Sequence, residues 1–313
     1  MPLVSAIVVT YGVKDYWRNC LDALMRQTFN AIEVILVDNS LNSKISPVIK
    51  SQYPHVVYHY GPKNLFYAEG LNKGISLSSG EFLLCMNDDV VLAPDFVGRS
   101  IKGFNSEAHV GMVSGKILRQ GGNIIDSSGL FLSIFRSASE RGYNRVDKGQ
   151  FNKQDNIFGV SGALAFYRRS ALDEIAINGE YFDPRFRMFY EDLDLAWRLQ
   201  RKGWRGVYLP GALAYHTRGA SARNKKGLNK RFARMYLSDE LYWDLVKNRY
   251  LTIAKNETFA GFLLHFPFTL IYDLFAWAVI LFTRPAIFSK LPLLLKLLIS
   301  TLRHRKEFKE RRN

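Results

Sequence analysis

The first ninety residues alternate between uninterrupted apolar runs and amphipathic stretches. Val4–Tyr11, Ile32–Asp38, Val56–Tyr60 and Glu81–Asn87 are rich in valine, isoleucine and leucine and predict buried strands. Between them, Lys14–Gln27, Ser43–Tyr53 and Ala68–Ser78 carry apolar residues at helical spacing and predict amphipathic helices. Strands that are apolar throughout, separated by such helices, form a parallel sheet covered on both faces. Sheets of this kind bind ligands beyond the carboxyl ends of their strands. Thr10-Tyr11, Asp38-Asn39-Ser40 and Asn87-Asp88-Asp89 all fall at such ends. Three consecutive units therefore predict one polar crevice.

A second concentration of chemistry begins at Phe189-Tyr190-Glu191-Asp192-Leu193-Asp194, which packs three carboxylates into four positions at the start of a predicted helix. Leu195, Ala196 and Leu199 share a face with Asp192, and Asp194 can pair with Arg198 one turn on. Glu191 and Asp194 read as helix-start and surface acids that tune Asp192. After Gly203-Trp204, a short apolar stretch ends in His216. Two acidic clusters and a histidine, each at a strand end or helix start, indicate a metal-assisted transfer site.

The first strand is followed by Tyr11-Gly12-Val13-Lys14, not by a glycine-rich phosphate loop. A nucleotide bound here needs its diphosphate neutralised differently. A divalent cation at Asp89, with His216 as second protein ligand, does this, and oxygen plus one imidazole suits Mg²⁺ or Mn²⁺. The lone cysteines Cys20 and Cys85 lack zinc-ligand spacing and cannot build a disulfide framework. They fit a reducing compartment, and no export signal is expected ahead of the first strand.

Length and charge refine this picture. A chain of 313 residues, 48% hydrophobic and 14% aromatic, can bury one large core with a smaller appendage. The net charge of +15 is uneven: residues 284–313 hold nine Lys or Arg against Glu307 and Glu310. Ahead of them, residues 259–282 are apolar except for His265, Thr269 and Asp273; the run is long enough to cross a bilayer, but Pro267 and Asp273 argue against a clean span. Leu291–Leu302 reads as an interfacial helix with a basic stripe of Lys296, Arg303 and His304 facing lipid phosphates. The competing reading is a helical hairpin packed on the protein's own core. Long aliphatic runs beside the basic residues favour an anionic membrane surface over nucleic acid as the partner. Residues 217–235 carry seven Lys or Arg and no acid, which suggests a lid over a diphosphate. Leu228–Ile253 reads as a long helix.

Val8-Val9-Thr10-Tyr11, Val37-Asp38-Asn39-Ser40, Asn64 with Gly70-Leu71-Asn72-Lys73-Gly74, Met86-Asn87-Asp88-Asp89-Val90, Ser161-Gly162-Ala163, and Tyr190-Glu191-Asp192 through Gly203-Trp204 occur in an order that resembles family 2 glycosyltransferases. The resemblance covers roughly residues 3–250, and Phe182-Asp183 and Tyr215-His216 are similar to its rhamnosyltransferase branch, which serves bacterial cell-surface polysaccharide and O-antigen synthesis. It implies a GT-A fold, an α/β Rossmann-like and mostly parallel sheet with helices on both faces, as a domain over 1–255. Residues 256–313 would add membrane-associated helices.

The same resemblance implies roles for individual residues. Thr10, Tyr11 and Asp38 would hold base and ribose, while Asn87 and Asp88 would contact ribose or donor sugar. Asn39, Asn64, Asn72, Gly162, Ala163 and Glu191 would complete the donor site. Asp89 and His216 would bind Mg²⁺ or Mn²⁺, and Asp192 would be the general base of an inverting transfer. Gly12 departs from the family pattern, which has asparagine there. The implied donor is dTDP-rhamnose, with UDP-galactofuranose or another UDP-hexose as rivals. The implied acceptor is a polyprenyl-diphosphate-linked saccharide at the cytoplasmic face of the bacterial inner membrane, the enzyme being peripheral or monotopic. A homodimer is left open. A non-catalytic nucleotide-sugar-binding scaffold is the alternative from another class, and it would have no use for Asp192.

Overall fold

A computed structural model describes residues 3–12, 14–107, 109–218 and 237–306. The chain opens with β1 (Val4–Thr10), α1 (Tyr16–Met25), β2 (Ile32–Asp38), α2 (Ser46–Gln52), β3 (Val57–Tyr60), α3 (Phe66–Ser76) and β4 (Phe82–Asn87). The expected alternation is present, with later helix starts that have a local cause. Lys14 (φ 74°) and Ser43 (φ 46°) lie in the left-handed region and cannot begin a right-handed helix. There follow β5 (Val90–Leu92), α4 (Phe96–Phe104), β6 (Val110–Arg119), β7 (Ile125–Ser127), β8 (Leu130–Leu132), β9 (Ala138–Glu140), β10 (Asp155–Ile157), β11 (Leu164–Arg168), α5 (Arg169–Asp173), α6 (Glu191–Arg201) and β12 (Arg205–His216). Among the described residues the chain closes with α7 (Asp239–Asn256), α8 (Phe259–Thr283) and α9 (Leu291–Arg303). The expected long helix from Leu228 therefore begins at Asp239, and the rest of that expectation, like most of the basic lid, lies outside the described residues.

The main sheet runs β10-β12-β6-β11-β4-β1-β2-β3, with β5 on β12 and β7 on β6. The strands β4, β1, β2 and β3 are mutually parallel, as are β12 and β6, whereas β11 runs against both of its neighbours. The GT-A-like sheet is thus mixed. Because β11 is the one reversed strand between two parallel sets, the carboxyl ends of β1, β2, β4, β6 and β12 emerge along one edge. Register carries the match to individual residues: Thr10 lies opposite Asp38, and Val9 opposite Asn87.

Two layers of core flank the sheet. Val4, Ala6 and Val8 of β1 pack with Trp17, Leu21 and Leu24 of α1 and Phe96 and Phe104 of α4, while the alternate residues Ile7 and Val9 pack with Leu71 and Ile75 of α3 and Leu195 and Leu199 of α6. This alternation of fully apolar strands explains why β1 is buried at every position.

The C-terminal helices are built differently. Two segments, Phe259–Thr283 and Pro285–Arg303, are long and apolar enough to cross a membrane, with mean hydropathy 1.7 and 1.5. Only Ile280 of α8 is buried, and Phe259, Phe275 and Phe282 are 77%, 71% and 84% exposed. By contrast α9 rests on α7, its Leu294 joining Trp243, Ile280 and Ile287 in a small cluster. Leu294 of α9, expected at the interface, thus docks on the protein as in the competing hairpin reading, while α8 presents its apolar side chains outward.

Candidate active site

The crevice is assembled from strand ends. Thr10 Oγ1 donates to Asp88 Oδ2 at 2.5 Å and accepts from the Gly12 amide at 3.0 Å. Gly12 turns the chain at φ +64°, and a Cβ there would meet Ser40 Cβ at 2.8 Å, so this tight turn requires glycine. Asp38 is buried, accepting from the Ser40 amide at 2.8 Å and from the Tyr58 hydroxyl at 2.7 Å. A carboxylate has about four lone-pair sites, so a base N–H can still be accepted there. Tyr11, 48% exposed at the mouth, receives a hydrogen bond from Asn64 Nδ2.

Two of the predicted donor-site side chains also hold the fold. Asn39 donates to the Phe66 carbonyl at 2.7 Å and accepts from the Leu65 amide. Asn72 donates to the Phe182 carbonyl at 2.7 Å and accepts from the Phe182 amide at 2.9 Å. Both amides hold loop backbone whose polar groups have no ladder to join. They shape the wall of the crevice.

At the other end of the crevice the pairing of β5 with β12 sets His216 opposite Val90, one residue after Asp89. His216 Nε2 lies 3.1 Å from Asp89 Oδ1, and its Nδ1 lies 2.7 Å from Asp126 Oδ2. Arg218 also pairs with Asp126, and its guanidinium sits 4.8 Å over the Tyr143 ring. Burial lowers the imidazole's affinity for a proton, but the two carboxylates outweigh it and carry the pKa up to about 9. Burial alone would raise Asp126; its hydrogen bond to His216 and the Arg218 charge hold it far below the carboxylate range instead. Asp88 is pushed up to about 7 by burial and by the neighbouring Asp89 charge, against the Thr10 hydrogen bond.

Among the described residues no three His, Cys, Asp or Glu side chains cluster as a metal site. The donor set at Asp89 and His216 nevertheless fits a divalent cation. One carboxylate oxygen and one imidazole nitrogen face each other at bonding distance, and Asp126 fixes the far ring nitrogen, as partners of metal-bound histidines do. Ions such as Mg²⁺ take their remaining ligands from substrate phosphates and water.

Asp192 stands on the same rim. Phe189 (φ 73°) and Tyr190 (φ 68°) form a left-handed turn before α6, a conformation that costs on the order of 1–3 kcal/mol per residue. Asn248 of α7 holds the strained turn, donating to the carbonyls of Met188 and Phe189 at 2.8 Å each. The turn delivers Glu191 and Asp192 as the first residues of the helix. Asp192 accepts from the Gly162 amide at 2.8 Å and the Leu193 amide at 2.7 Å. A Cβ on Gly162 would lie 3.1 Å from Glu191 Oε1 and 3.2 Å from Asp192 Oδ2. The next carbonyl, of Ala163, accepts from the Asn87 amide at 3.0 Å. Gly162-Ala163 is thus a bridge of backbone between Asp192 and the Asn87-Asp88-Asp89 turn.

The acids here are not on the surface. Glu191 is buried, with Oε2 lacking a protein hydrogen bond. Burial and the adjacent Asp192 charge push its pKa up, and burial raises Asp192 too, against its two amide hydrogen bonds. Asp194 is fully buried and bonds Arg198 at 3.0 Å, Lys255 Nζ at 2.8 Å and Asn256 Nδ2 at 2.8 Å. The expectation of surface acids fails because α7 packs its polar face over α6. The Asp194–Arg198 pair itself is present.

Two residues of the site carry no motif. Asp126 arrives through β7, and Glu140 at the end of β9 accepts a hydrogen bond from Ser127 and is pushed up to about 7 by burial and the Asp192 charge. No local signal marks either one.

The mixed α/β sheet, with an acidic turn, a paired histidine and a buried carboxylate at one edge, has a GT-A-like fold. The sequence pattern described as "Glycosyl transferase family 2" matches residues 5–176. The chain belongs to this family and is a glycosyltransferase. It is 23% identical over 241 residues to an N-acetylglucosaminyl-diphospho-decaprenol L-rhamnosyltransferase of Mycobacterium tuberculosis, covering 70% of this chain and 77% of that one. Among solved structures, the mannosyltransferase PcManGT of Pyrobaculum calidifontis, in complex with GDP-Man and Mn²⁺, superposes with a TM-score of 0.56 at 17% identity, covering 99% of this chain and 88% of that one. GalNAc-T7 with UDP, GalNAc and Mn²⁺ superposes with a TM-score of 0.59 at 11% identity, and the matched part covers 82% of this chain but 48% of that longer one.

Proposed function

We propose that this protein is an inverting, metal-dependent transferase that moves L-rhamnose from dTDP-rhamnose to a lipid-linked saccharide. In this reading residues 1–255 form the transferase unit, and 256–313 hold it at the cytoplasmic face of a bacterial plasma membrane. One observation carries the chemistry. A single carboxylate, Asp192, is held by two backbone amides and joined through Gly162-Ala163 to the Asp88-Asp89 turn.

In the reaction the acceptor hydroxyl gives its proton to Asp192 as its oxygen bonds to the anomeric carbon. The bond from that carbon to the diphosphate oxygen breaks, and the nucleoside diphosphate leaves. Attack from the side opposite the leaving group inverts the anomeric centre, and no second nucleophilic carboxylate is needed. Thr10, Tyr11 and Asp38 hold the nucleoside, and Asn87, Asp88 and Glu191 contact the sugar. Asp89 and His216 would hold a divalent cation, which would supply stabilisation for the charge of the departing diphosphate. The His216 imidazole would have to lose its Nε2 proton to serve as ligand; the Asp126 carboxylate opposes that loss, while its contact with Nδ1 fixes the ring so that Nε2 faces Asp89. Support for the rhamnosyl group and for a lipid-linked acceptor comes from the activity for which the mycobacterial relative is named, and for the cation from the Mn²⁺ complexes of the structural neighbours.

The test is a donor series of dTDP-rhamnose, UDP-galactofuranose, UDP-glucose and GDP-mannose with a prenyl-diphosphate-linked N-acetylglucosamine acceptor. Transfer from dTDP-rhamnose that stops in excess EDTA and in Asp89→Ala is expected. Undiminished transfer in EDTA would remove the metal from the reading, and preference for another donor would remove rhamnose.

A further inference from the structure

The hairpin of β8 and β9 connects two regions that the chemistry above treats separately. At one end Glu140 lies within the electrostatic reach of Asp192. At the other, Arg136 turns the hairpin at φ 55° and is fixed to α7 twice: its side chain pairs with Glu257, and its carbonyl accepts from Arg249 Nη1 at 2.8 Å. Beside Arg136, Phe135 stacks on Tyr272 of α8 with ring centroids 5.8 Å apart, and Ile134 is 50% exposed. The hairpin therefore runs from the catalytic rim to the outward apolar helix.

Where it meets that helix there is a cleft between α7 and α8. Tyr250, Ile253, Phe262, Phe266 and Leu270 line it together with the polar Arg136, Glu257, His265, Thr269 and Asp273, of which Asp273 pairs with Arg249 at 3.0 Å and His265 Nδ1 lies 2.8 Å from the Gly261 carbonyl. Its walls are largely apolar. Thr269 Oγ1 is already spent on carbonyls of its own helix, and Arg136 and Glu257 are spent on each other. A polar ligand would find few free hydrogen-bonding groups, whereas an aliphatic chain loses nothing by entering and gains burial. Next along α8 from the lining residue Phe262, Leu263 and Leu264 are 58% and 69% exposed. A chain could pass into it from a bilayer without crossing water.

The geometry points to the occupant. We propose that the α7–α8 cleft holds the isoprenoid segment of the acceptor next to its phosphate, and that the hairpin sets the distance from that segment to Asp192. Arg136 in the turn and Glu140 at the end of β9 are four residues apart, a span of at most about 13 Å at roughly 3.3 Å per residue. That is comparable to a monosaccharide joined to a diphosphate, the part of such an acceptor that must lie between its chain and its reacting hydroxyl. The inference rests on the lipid-linked acceptor named under the proposed function.

The experiment uses full-length protein in detergent micelles with farnesyl diphosphate carrying a diazirine on the chain. Crosslinks are expected on Ile253 and on the 262–270 segment, displaced by unlabelled farnesyl diphosphate. Filling the cleft from either wall, with Thr269→Trp or Ile253→Trp, should lower specific labelling at least tenfold. The thermal shift given by dTDP or UDP with Mn²⁺ should not change. Labelling confined to the outer face around Phe275 and Phe282, or equal and equally competed labelling by diazirine-bearing palmitate, overturns the proposal and leaves the cleft to bulk lipid. Labelling undiminished in both tryptophan variants overturns it as well. If wild-type protein shows no thermal shift with dTDP, UDP or GDP, the transferase reading fails separately, because that readout does not involve the cleft.

Discussion

The sheet body and the C-terminal helices use charge and apolar surface in opposite ways. In the body, Asp194, Lys255, Asp244 and Lys247 are buried and paired, and the large apolar side chains lie inside. In α8 the large apolar side chains lie outside. The body pairs these buried charges with one another, which rigidifies the elements behind the rim that carries Asp192. The helix required only a backbone satisfied within itself, so its outer face is free to be solvated by lipid. One region is organised around holding a few groups still, and the other around meeting an apolar phase.

Four measurements would break or sharpen that contrast. The largest effect is expected at Asp192, the one rim acid held only by backbone amides. Asp192→Asn should lower kcat by about 10²–10⁴-fold, the usual worth of a general base, with donor affinity retained in calorimetric titration. Near-wild-type turnover would reduce Asp192 to a helix-start acid. Next comes Lys255, whose ammonium bonds Asp183 at 2.9 Å and Asp194 at 2.8 Å. Lys255→Met leaves two buried carboxylates short of a cation and should cost about 3–5 kcal/mol, read as a fall in the denaturation midpoint.

The third measurement is a matched pair of truncations. Phe186→Ala, in the body core, should cost about 3–5 kcal/mol. Phe275→Ala, on the outside of α8, should stay within about 0.5 kcal/mol in detergent but weaken flotation with anionic liposomes. Equal destabilisation by both would mean that α8 is packed in solution and that the contrast is false.

The smallest effect is a displacement of the pH profile. Asp192 must be ionised to act, and burial raises its pKa, as it does that of Glu191. Activity should therefore be lost as pH falls through a midpoint above the ordinary carboxylate range. Glu191→Gln removes the like charge and should move that limb of kcat/KM to lower pH. An unmoved limb would show that the two acids do not share their titration.

Much of this was legible along the chain. The apolar runs of β1, β2 and β4 and the polar residues that end them depend on local pattern, so Thr10, Asp38, Asn87, Asp88 and Asp89 could be placed on one edge without coordinates. Asp192 was legible too, because an acidic helix start needs only neighbouring residues. The mixed direction of the sheet was not, since β11 pairs with β4 by a reversal that no residue of either strand announces. Nor was the burial of Glu191, which lies against Gly162, or of Asp194, which α7 covers from some sixty residues away.

The division follows from what each property depends on. Periodicity, turn chemistry and the spacing of motifs are set by residues a few positions apart, and the sequence by itself determined them: an α/β sheet with strands and helices in alternation, an acidic crevice and an apolar, basic C-terminal segment. The partners of side chains are set by strand register and helix packing. His216 meets Asp126 across 90 residues only because β6 pairs with both β7 and β12, and Asn72 is taken up by Phe182 across 110. Tertiary structure alone decided which polar groups were consumed in holding the fold and which remained to face a substrate. Burial makes every unpaired polar group costly, and the nearest available partner is a matter of space, not of sequence.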